Sequence, residues 1–352
     1  MKNILLLCDG RGYLTSSLEK KSRGKINISL LKKSLEAYGF NVKIMCLHDL
    51  KFPSEFSGWF VLYPSSEDAG LFYKGFIEDI ILRLTLDKAI LLPKYELFRA
   101  HHNKVFMELY RSCFSDPEFQ TIKTWVFYSY KDLKKIMEKE TLQYPLVLKS
   151  SSGAGSAGVS LVRDEKELLK KAKHMGYISF SNLLFSKKDW FYSRLIYYKK
   201  RFLGEKPLRV VECKEKMVLQ TFIPNLEYDY KVLVFGEKFY ILRRKTRDND
   251  FRASGSGKLE FPDGLTEKEI QVLDFAKKAY IQLDTPLLSI DIAYDGNQCH
   301  MLEFQCLNFG PYTLQYSNCY YKYIEDKWKE FPAHSILENE IALAINQYVE
   351  RY

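Results

Sequence analysis

The sequence predicts a mixed α/β protein, with a parallel α/β layer at its N-terminus and antiparallel hairpins after it. Three observations carry that reading. Short apolar runs alternate with amphipathic stretches over residues 1–95, the pattern of a parallel sheet flanked by helices. Residues 144–162, YPLVLKSSSGAGSAGVSLV, read as strand, glycine-rich loop and strand. Residues 287–304 hold two apolar runs about Asp295-Gly296-Asn297, a strong hairpin signal. At 352 residues, 46% hydrophobic and 28% charged, the chain has an ordinary globular composition and the length for two or three domains.

The elements follow in order. A first strand over 4–7 ends in the turn Asp9-Gly10-Arg11-Gly12. Ile26, Leu30, Leu31, Leu35 and Ala37 fall near helical spacing. Strands at 42–47 and 59–63, a helix at 72–84 and a strand at 89–92 closed by Pro93 complete the first layer. One amphipathic helix is expected over 100–112, started by His101 and His102 and broken at Asp116-Pro117. A strand at 124–128, a charged helix at 131–139 and the glycine-rich hairpin come next. Asp164 caps a further helix, with Glu167 three residues on. Strands are expected at 218–223, 231–235 and 239–243, then a polar loop over 246–258. Thr266 and Glu269 form a capping box that opens a helix to residue 283. The 287–304 hairpin and a last helix over 335–350 close the chain.

Composition narrows the function. Only four consecutive apolar residues precede Cys8, too few for a secretory signal core. No run approaches the ~18 apolar residues of a membrane helix. Seven cysteines stand singly, with no Cys-x-x-Cys pair, which fits reduced thiols in the cytoplasm. The six histidines lack metal-ligand spacing. The net charge of +9 is concentrated at 187–216, where ten Lys/Arg face four Asp/Glu among interleaved aromatics. Such a patch suits an anionic polymer, or a solvated insertion whose aromatics pack inward. No nucleic-acid module accompanies it, so nucleic acid is not an expected partner.

Two constellations carry chemistry. Lys149 ends an apolar run, and Gly153, Gly155 and Gly158 follow in a serine-rich loop. Glycines let backbone N–H groups approach a ligand, and the lysine adds a positive charge, a combination suited to polyphosphate. A Walker loop would place the lysine after the glycines, and a dinucleotide fingerprint would lead into a helix. Neither holds here. Read alone, the segment also fits a plain hairpin loop. The second constellation is Asp291 and Glu303, which a hairpin about 295–297 can bring to one face, with Gln305 nearby. Two acids and an amide make a hard-oxygen site suited to Mg²⁺. They also read as solvent-facing acids at a strand end.

These motifs, in this order, resemble the ATP-grasp superfamily, in particular the glutathione-synthetase and ribosomal-protein glutamate-ligase branch. The resemblance covers about residues 95–310. It implies an N-terminal Rossmann-like pre-ATP-grasp domain (1–98), a small grasp lobe (99–216) with the basic-aromatic insertion at 176–216, and a C-terminal lobe with the metal site (217–352). By resemblance, Lys104 and Lys149 are the ATP lysines, and Ser152, Gly153, Gly155, Ser156 and Gly158 belong to the phosphate loop. Gln220, Thr221, Phe222 and Ile223 would receive adenine, and Asp229 the ribose. Arg244 and Arg252, with Lys231, would act on the transferring phosphoryl group. Asp291, Glu303 and Gln305 would hold two Mg²⁺ ions, or Mn²⁺.

The implied activity is an ATP-dependent carboxylate–amine ligase working through an acyl phosphate. Its partners would be small-molecule acid and amine substrates, and a homodimer is open. Gln305 stands where the family usually has Asn, with Asn308 as a substitute, and Ser254 stands where Asn is common. The tyrosine-rich stretch after residue 309 resembles ATP-grasp proteins that decorate bacterial surface polysaccharides. A small-molecule kinase and a non-catalytic ATP-binding module are the alternatives.

Overall fold

A computed structural model describes residues 2–14, 26–66, 71–153, 158–176, 195–196, 198–204, 216–307 and 309–351. The chain forms two compact units: residues 1–102, 109–121 and 223–352 in the first, 103–108 and 122–222 in the second. Gly155, Ser156, Asn308 and most of the 176–216 insertion lie outside the described residues. Among the described residues no helix is long and apolar enough to cross a membrane.

The first unit begins with β1 (Lys2–Cys8), α1 (Ile28–Ala37), β2 (Phe40–Cys46), β3 (Phe60–Leu62), α2 (Phe72–Leu86), β4 (Ile90–Leu92) and α3 (Tyr95–Ala100). The four strands pair in parallel in the order β2-β1-β3-β4. Strand β1 is buried on both faces, which is why its sequence reads as an unbroken apolar run. Ile4 and Leu6 share a core with Leu31 and Leu35 of α1, while Leu5 and Leu7 share another with Ile77 and Ile81 of α2.

The helix expected over 100–112 is present as α4 (Lys104–Arg111) but starts later, and a separate helix not expected from sequence, α3, precedes it. α3 stops at Ala100, and α4 starts after His102, whose φ of 55° is left-handed. Asn103 caps α4, its Oδ1 accepting from the Phe106 N–H at 3.2 Å. His101 and His102 thus occupy the break rather than a helix start.

The second unit holds β5 (Thr124–Phe127), α5 (Tyr130–Lys139), β6 (Leu146–Ser150), β7 (Val159–Val162), α6 (Glu165–Gly176) and β8 (Met217–Thr221). Its antiparallel sheet runs β5-β8-β6-β7. Leu146, Leu148 and Leu219 point to one face and pack on Leu133 of α5 and Leu168 of α6. By alternation, Val147, Lys149 and Gln220 lie on the other face.

The first unit resumes with β9 (Tyr228–Phe235), β10 (Lys238–Lys245), β11 (Leu259–Glu260), α7 (Glu267–Leu283), β12 (Leu287–Tyr294), β13 (Cys299–Gln305), α8 (Tyr312–Tyr316), β14 (Cys319–Ile324), β15 (Lys327–Pro332) and α9 (Leu337–Val349). Seven strands form one sheet, β13-β12-β9-β10-β14-β15, with β11 paired to β10. The capping box at Thr266 and Glu269 is present. The pair β14–β15 was not expected from sequence. It closes on Glu325 and Asp326, both at positive φ, as a two-residue hairpin turn requires.

One face of this sheet divides along β9. Leu233 and Phe235 bury against Ile341 and Ile345 of α9 and the N-terminal sheet. Two and four residues earlier, the same face carries Lys231 and Asp229.

Candidate active site

In the second unit, Lys104 opens α4 and is buried. Its Nζ donates to the Gly153 carbonyl at 2.8 Å, and its N–H donates to the Ser151 carbonyl at 2.9 Å. Asn103 Oδ1 accepts from Ser151 Oγ at 3.0 Å and from Lys216 Nζ at 3.2 Å. These bonds tie the start of α4 to the entry of the glycine-rich loop. The loop's exit is fixed too, because Ser150 N–H donates to the Gly158 carbonyl at 2.9 Å. Gly158 has φ +75°, and a Cβ there would stand 2.2 Å from Ser150 Oγ, so only glycine fits. Ser152 is half-buried, its carbonyl accepting from Ser150 Oγ at 2.7 Å. Lys149 is half-buried on β6, opposite Val218. Gln220 is buried and donates to Thr124 Oγ1 at 3.2 Å. Thr221 and Phe222, at the end of β8, are half-buried.

In the first unit, sheet register assembles a charged row. Lys231 on β9 lies opposite Asp291 on β12, and Asp291 lies opposite Glu303 on β13. Residues directly opposite share a face, as do residues two apart on a strand. Gln305 and Ser289, themselves opposite each other, therefore join Asp291 and Glu303, and Asp229 joins Lys231. Arg244 on β10 lies opposite Asp229. A β-bulge falls in this hairpin: Ile292 pairs with Met301 and Asp291 with Glu303, so Leu302 is surplus.

The side chains use this alignment. Arg244 donates to Asp229 through Nε and Nη2 at 2.7 and 2.8 Å, and its Nη2 lies 2.8 Å from Asp291 Oδ2. Lys231 Nζ donates to Asp291 Oδ1 at 3.1 Å. Burial alone would push the Asp291 carboxyl up, but Arg244 and Lys231 outweigh it and hold it at about 2. Burial pushes Asp229 up, against the opposing pull of Arg244. The two aspartates raise the Arg244 pKa, despite burial acting the other way.

Neighbouring residues alternate away. Arg243 lies on the opposite face, 3.4 Å from Glu269 of α7, which also accepts from Tyr230 at 2.7 Å. Arg252, in the loop after β10, pairs with Asp250, its Nε 2.8 Å from Oδ2. Ile223 begins the linker before β9 and is half-buried.

The donor set fits a hard divalent cation: two carboxylates and an amide oxygen on adjoining strands. Ser289 supports this. Its hydroxyl is buried on the same face, without a hydrogen-bond partner among the described residues, as a group awaiting water or a ligand would be. Sequence reasoning missed Ser289. The signal was its place two residues before Asp291.

No protein-family model matches this sequence, and no curated protein does. Solved structures do match. D-cycloserine synthetase DcsG is 10% identical, with 98% of this chain and 99% of that one covered, at a TM-score of 0.52. D-alanyl-alanine synthetase A from Vibrio cholerae O1 biovar eltor str. N16961 is 14% identical, with 99% of each chain covered, at 0.51. N5-carboxyaminoimidazole synthetase from Staphylococcus aureus is 12% identical, with 98% and 77% covered, at 0.51. The chain shares its fold with these proteins.

Proposed function

We propose that the protein is an ATP-dependent carboxylate–amine ligase. The observation that carries this reading is the row Lys231, Asp291, Glu303, aligned across three strands in a chain whose motifs resemble the ATP-grasp superfamily. The three similar structures support it, since each is named as a synthetase.

A carboxylate is a poor electrophile and must be activated before an amine can displace its oxygen. In the proposed reaction its oxygen attacks the γ-phosphorus of ATP, the bond to the β-phosphate oxygen breaks, and ADP leaves. The amine then attacks the acyl phosphate, inorganic phosphate departs, and the amine loses a proton. Lys104 and Lys149 would hold the nucleotide phosphates, with the loop from Ser152 to Gly158 supplying backbone N–H groups. Gln220 and the segment through Ile223 would take the base, and Asp229 the ribose. Arg244 and Arg252 would neutralise charge that builds on the transferring phosphoryl group. Asp291, Glu303 and Gln305 would hold Mg²⁺. Bound there, the ions would neutralise phosphate charge.

Asp291 is engaged by Lys231 and Arg244, yet each carboxylate oxygen keeps a second lone pair. The same cations that hold it ionised leave it able to accept a metal. We further propose that the acid is a sugar acid or amino acid, with surface polysaccharide as one setting.

The test is ADP release with Mg·ATP over a library of carboxylic acids, with hydroxylamine present. A hydroxamate formed with one acid supports carboxylate activation. A stable phosphorylated product without hydroxamate points to a kinase. ATP binding without turnover on any acid would fit a non-catalytic module.

A further inference from the structure

The C-terminal ends of β1 and β2 carry a second cluster, made of different chemistry. Cys8 and Cys46 are partners in the parallel register, and their sulfurs lie 3.7 Å apart. A 3-10 turn, Leu47–Asp49, follows β2 at once, anchored by buried Leu47. It folds His48 and Asp49 back toward Cys46. The Cys46 sulfur, a His48 ring nitrogen and an Asp49 carboxylate oxygen all lie within 4.8 Å of one another. His48 Nε2 is 3.5 Å from Asp49 Oδ1.

Two edges have tetrahedral lengths. Cys8 stands outside the trio whose donor atoms all lie within 4.8 Å of one another, so the exposed His48 and Asp49 must turn to close the set around it. Around tetrahedral zinc, bonds of about 2.3 Å to sulfur set two thiolates about 3.8 Å apart, and bonds of about 2.1 Å set a nitrogen and an oxygen about 3.4 Å apart. Thiolate and imidazole donors select zinc over magnesium, which takes oxygen ligands. Exposure is graded in the way metal entry requires. Cys8 is buried, Cys46 is half-buried, and His48 and Asp49 are exposed, so the sulfurs are fixed while the outer donors can turn onto an ion arriving from solvent. Asp9, next to Cys8, is already engaged by Arg11 at 3.0 Å and does not compete.

The cluster sits on the β2 side of β1. In the order β2-β1-β3-β4, the crevice where open parallel sheets take ligands falls between β1 and β3 instead.

We propose that Cys46, His48 and Asp49, with Cys8 as fourth donor, form a zinc site. Binding converts two thiols to thiolates and releases two protons. The ion clamps the 3-10 turn to the end of β1.

The test uses the reduced full-length protein with excess Mg²⁺ present to occupy oxygen sites. Co²⁺ is added first as a spectroscopic probe, then Zn²⁺ is titrated against a chromogenic chelator. The expected result is one Zn²⁺ per chain and a Co²⁺ adduct with thiolate charge-transfer absorption and intense tetrahedral bands. Cys46→Ser and His48→Ala should each weaken Zn²⁺ binding by more than about 10-fold, since loss of a ligand costs at least as much as loss of a ligand's own hydrogen-bond partner. His48 is exposed, so His48→Ala carries the test even if Cys46→Ser fails to fold. Asp291→Asn should leave zinc affinity unchanged, which separates this site from the proposed magnesium site. Absence of stoichiometric Zn²⁺ uptake, uptake indifferent to His48→Ala, or a Co²⁺ spectrum without thiolate absorption would overturn the proposal.

Discussion

Arg244 and Asp229 form a two-pronged ion pair across neighbouring strands, Nε to Oδ1 at 2.7 Å and Nη2 to Oδ2 at 2.8 Å. Both residues are buried. Removing the arginine strands a buried carboxylate, and breaking such pairs costs about 3–5 kcal/mol. Arg244→Ala should therefore lose stability in that range in urea unfolding. Arg244→Lys keeps the charge but not the planar fork, and should fall between Arg244→Ala and wild type. A loss below about 1 kcal/mol for Arg244→Ala, the size of an exposed pair, would mean the pair is solvated in solution.

Glu303 is half-buried at a strand position facing the charged row, so its truncation removes little buried apolar surface. Glu303→Ala should retain the unfolding midpoint and lower substrate-dependent ADP release by about 10²–10³. Arg252→Ala should show a rate loss of about the same size. Near-normal turnover in either variant would remove that residue from the proposed machinery.

Asp295 gives a pH prediction away from the charged row. Its Oδ1 accepts from the Asn297 and Gln298 N–H groups at 2.8 and 2.9 Å, and Oδ2 lies 2.9 Å from His300 Nε2. Burial opposes these bonds, but they win and lower the carboxyl from 3.8 to about 2. A folded-state pKa below the unfolded one contributes stability above the unfolded value. That contribution fades as pH falls from about 4 through about 2. Asp295→Asn keeps an oxygen acceptor for the turn but has no charge to lose. Thermal melts from pH 7 to 2 should show wild type more stable at neutrality, with the two curves converging in acid. Parallel curves would be inconsistent with the shift.

Gly158→Ala would place a Cβ 2.2 Å from Ser150 Oγ and 3.1 Å from Ser150 Cβ, at a φ of +75°. A non-glycine residue held in such a conformation costs about 1–3 kcal/mol. Urea unfolding should show a loss of that size. Adding Ser150→Ala removes the Oγ clash, and also the hydrogen bond from Ser150 Oγ to the Ser152 carbonyl, but leaves the backbone strain. Against Ser150→Ala alone, the double variant should therefore still show part of the loss.

Much of the architecture was legible in the residues. The N-terminal layer was readable because β1 is covered on both faces, and an unbroken apolar run reports that directly. The hairpin carrying Asp291 and Glu303 was readable because Asp295-Gly296-Asn297 is a turn with a backbone reason. The turn's register alone would set Asp291 opposite Leu302, and the bulge that brings Glu303 opposite Asp291 instead was not legible. The break at His102 was not legible, since it rests on one left-handed residue in a helix-compatible stretch. Nor was β14–β15: Glu325 and Asp326 are not the usual turn residues, and tyrosine-rich segments lack clean alternation. Cys8 and Cys46 are 38 residues apart, and only the parallel register makes them neighbours. The Arg244 contacts to both aspartates likewise depend on three strands meeting in one alignment.

The surplus Leu302 gives the β12–β13 hairpin slack. On the inner side of the bulge, the alignment of Glu303 with Asp291 is set from the middle of the sheet, through Lys231 on β9. On the outer side it is set by the turn at 295–298. A change in the length or tightness of that turn meets the bulge before it reaches Glu303, and a bulge is where a strand can absorb an extra residue. The tip of the hairpin is therefore a place where this protein could accept a longer loop, a label or a fused tag while its acids stay aimed as they are.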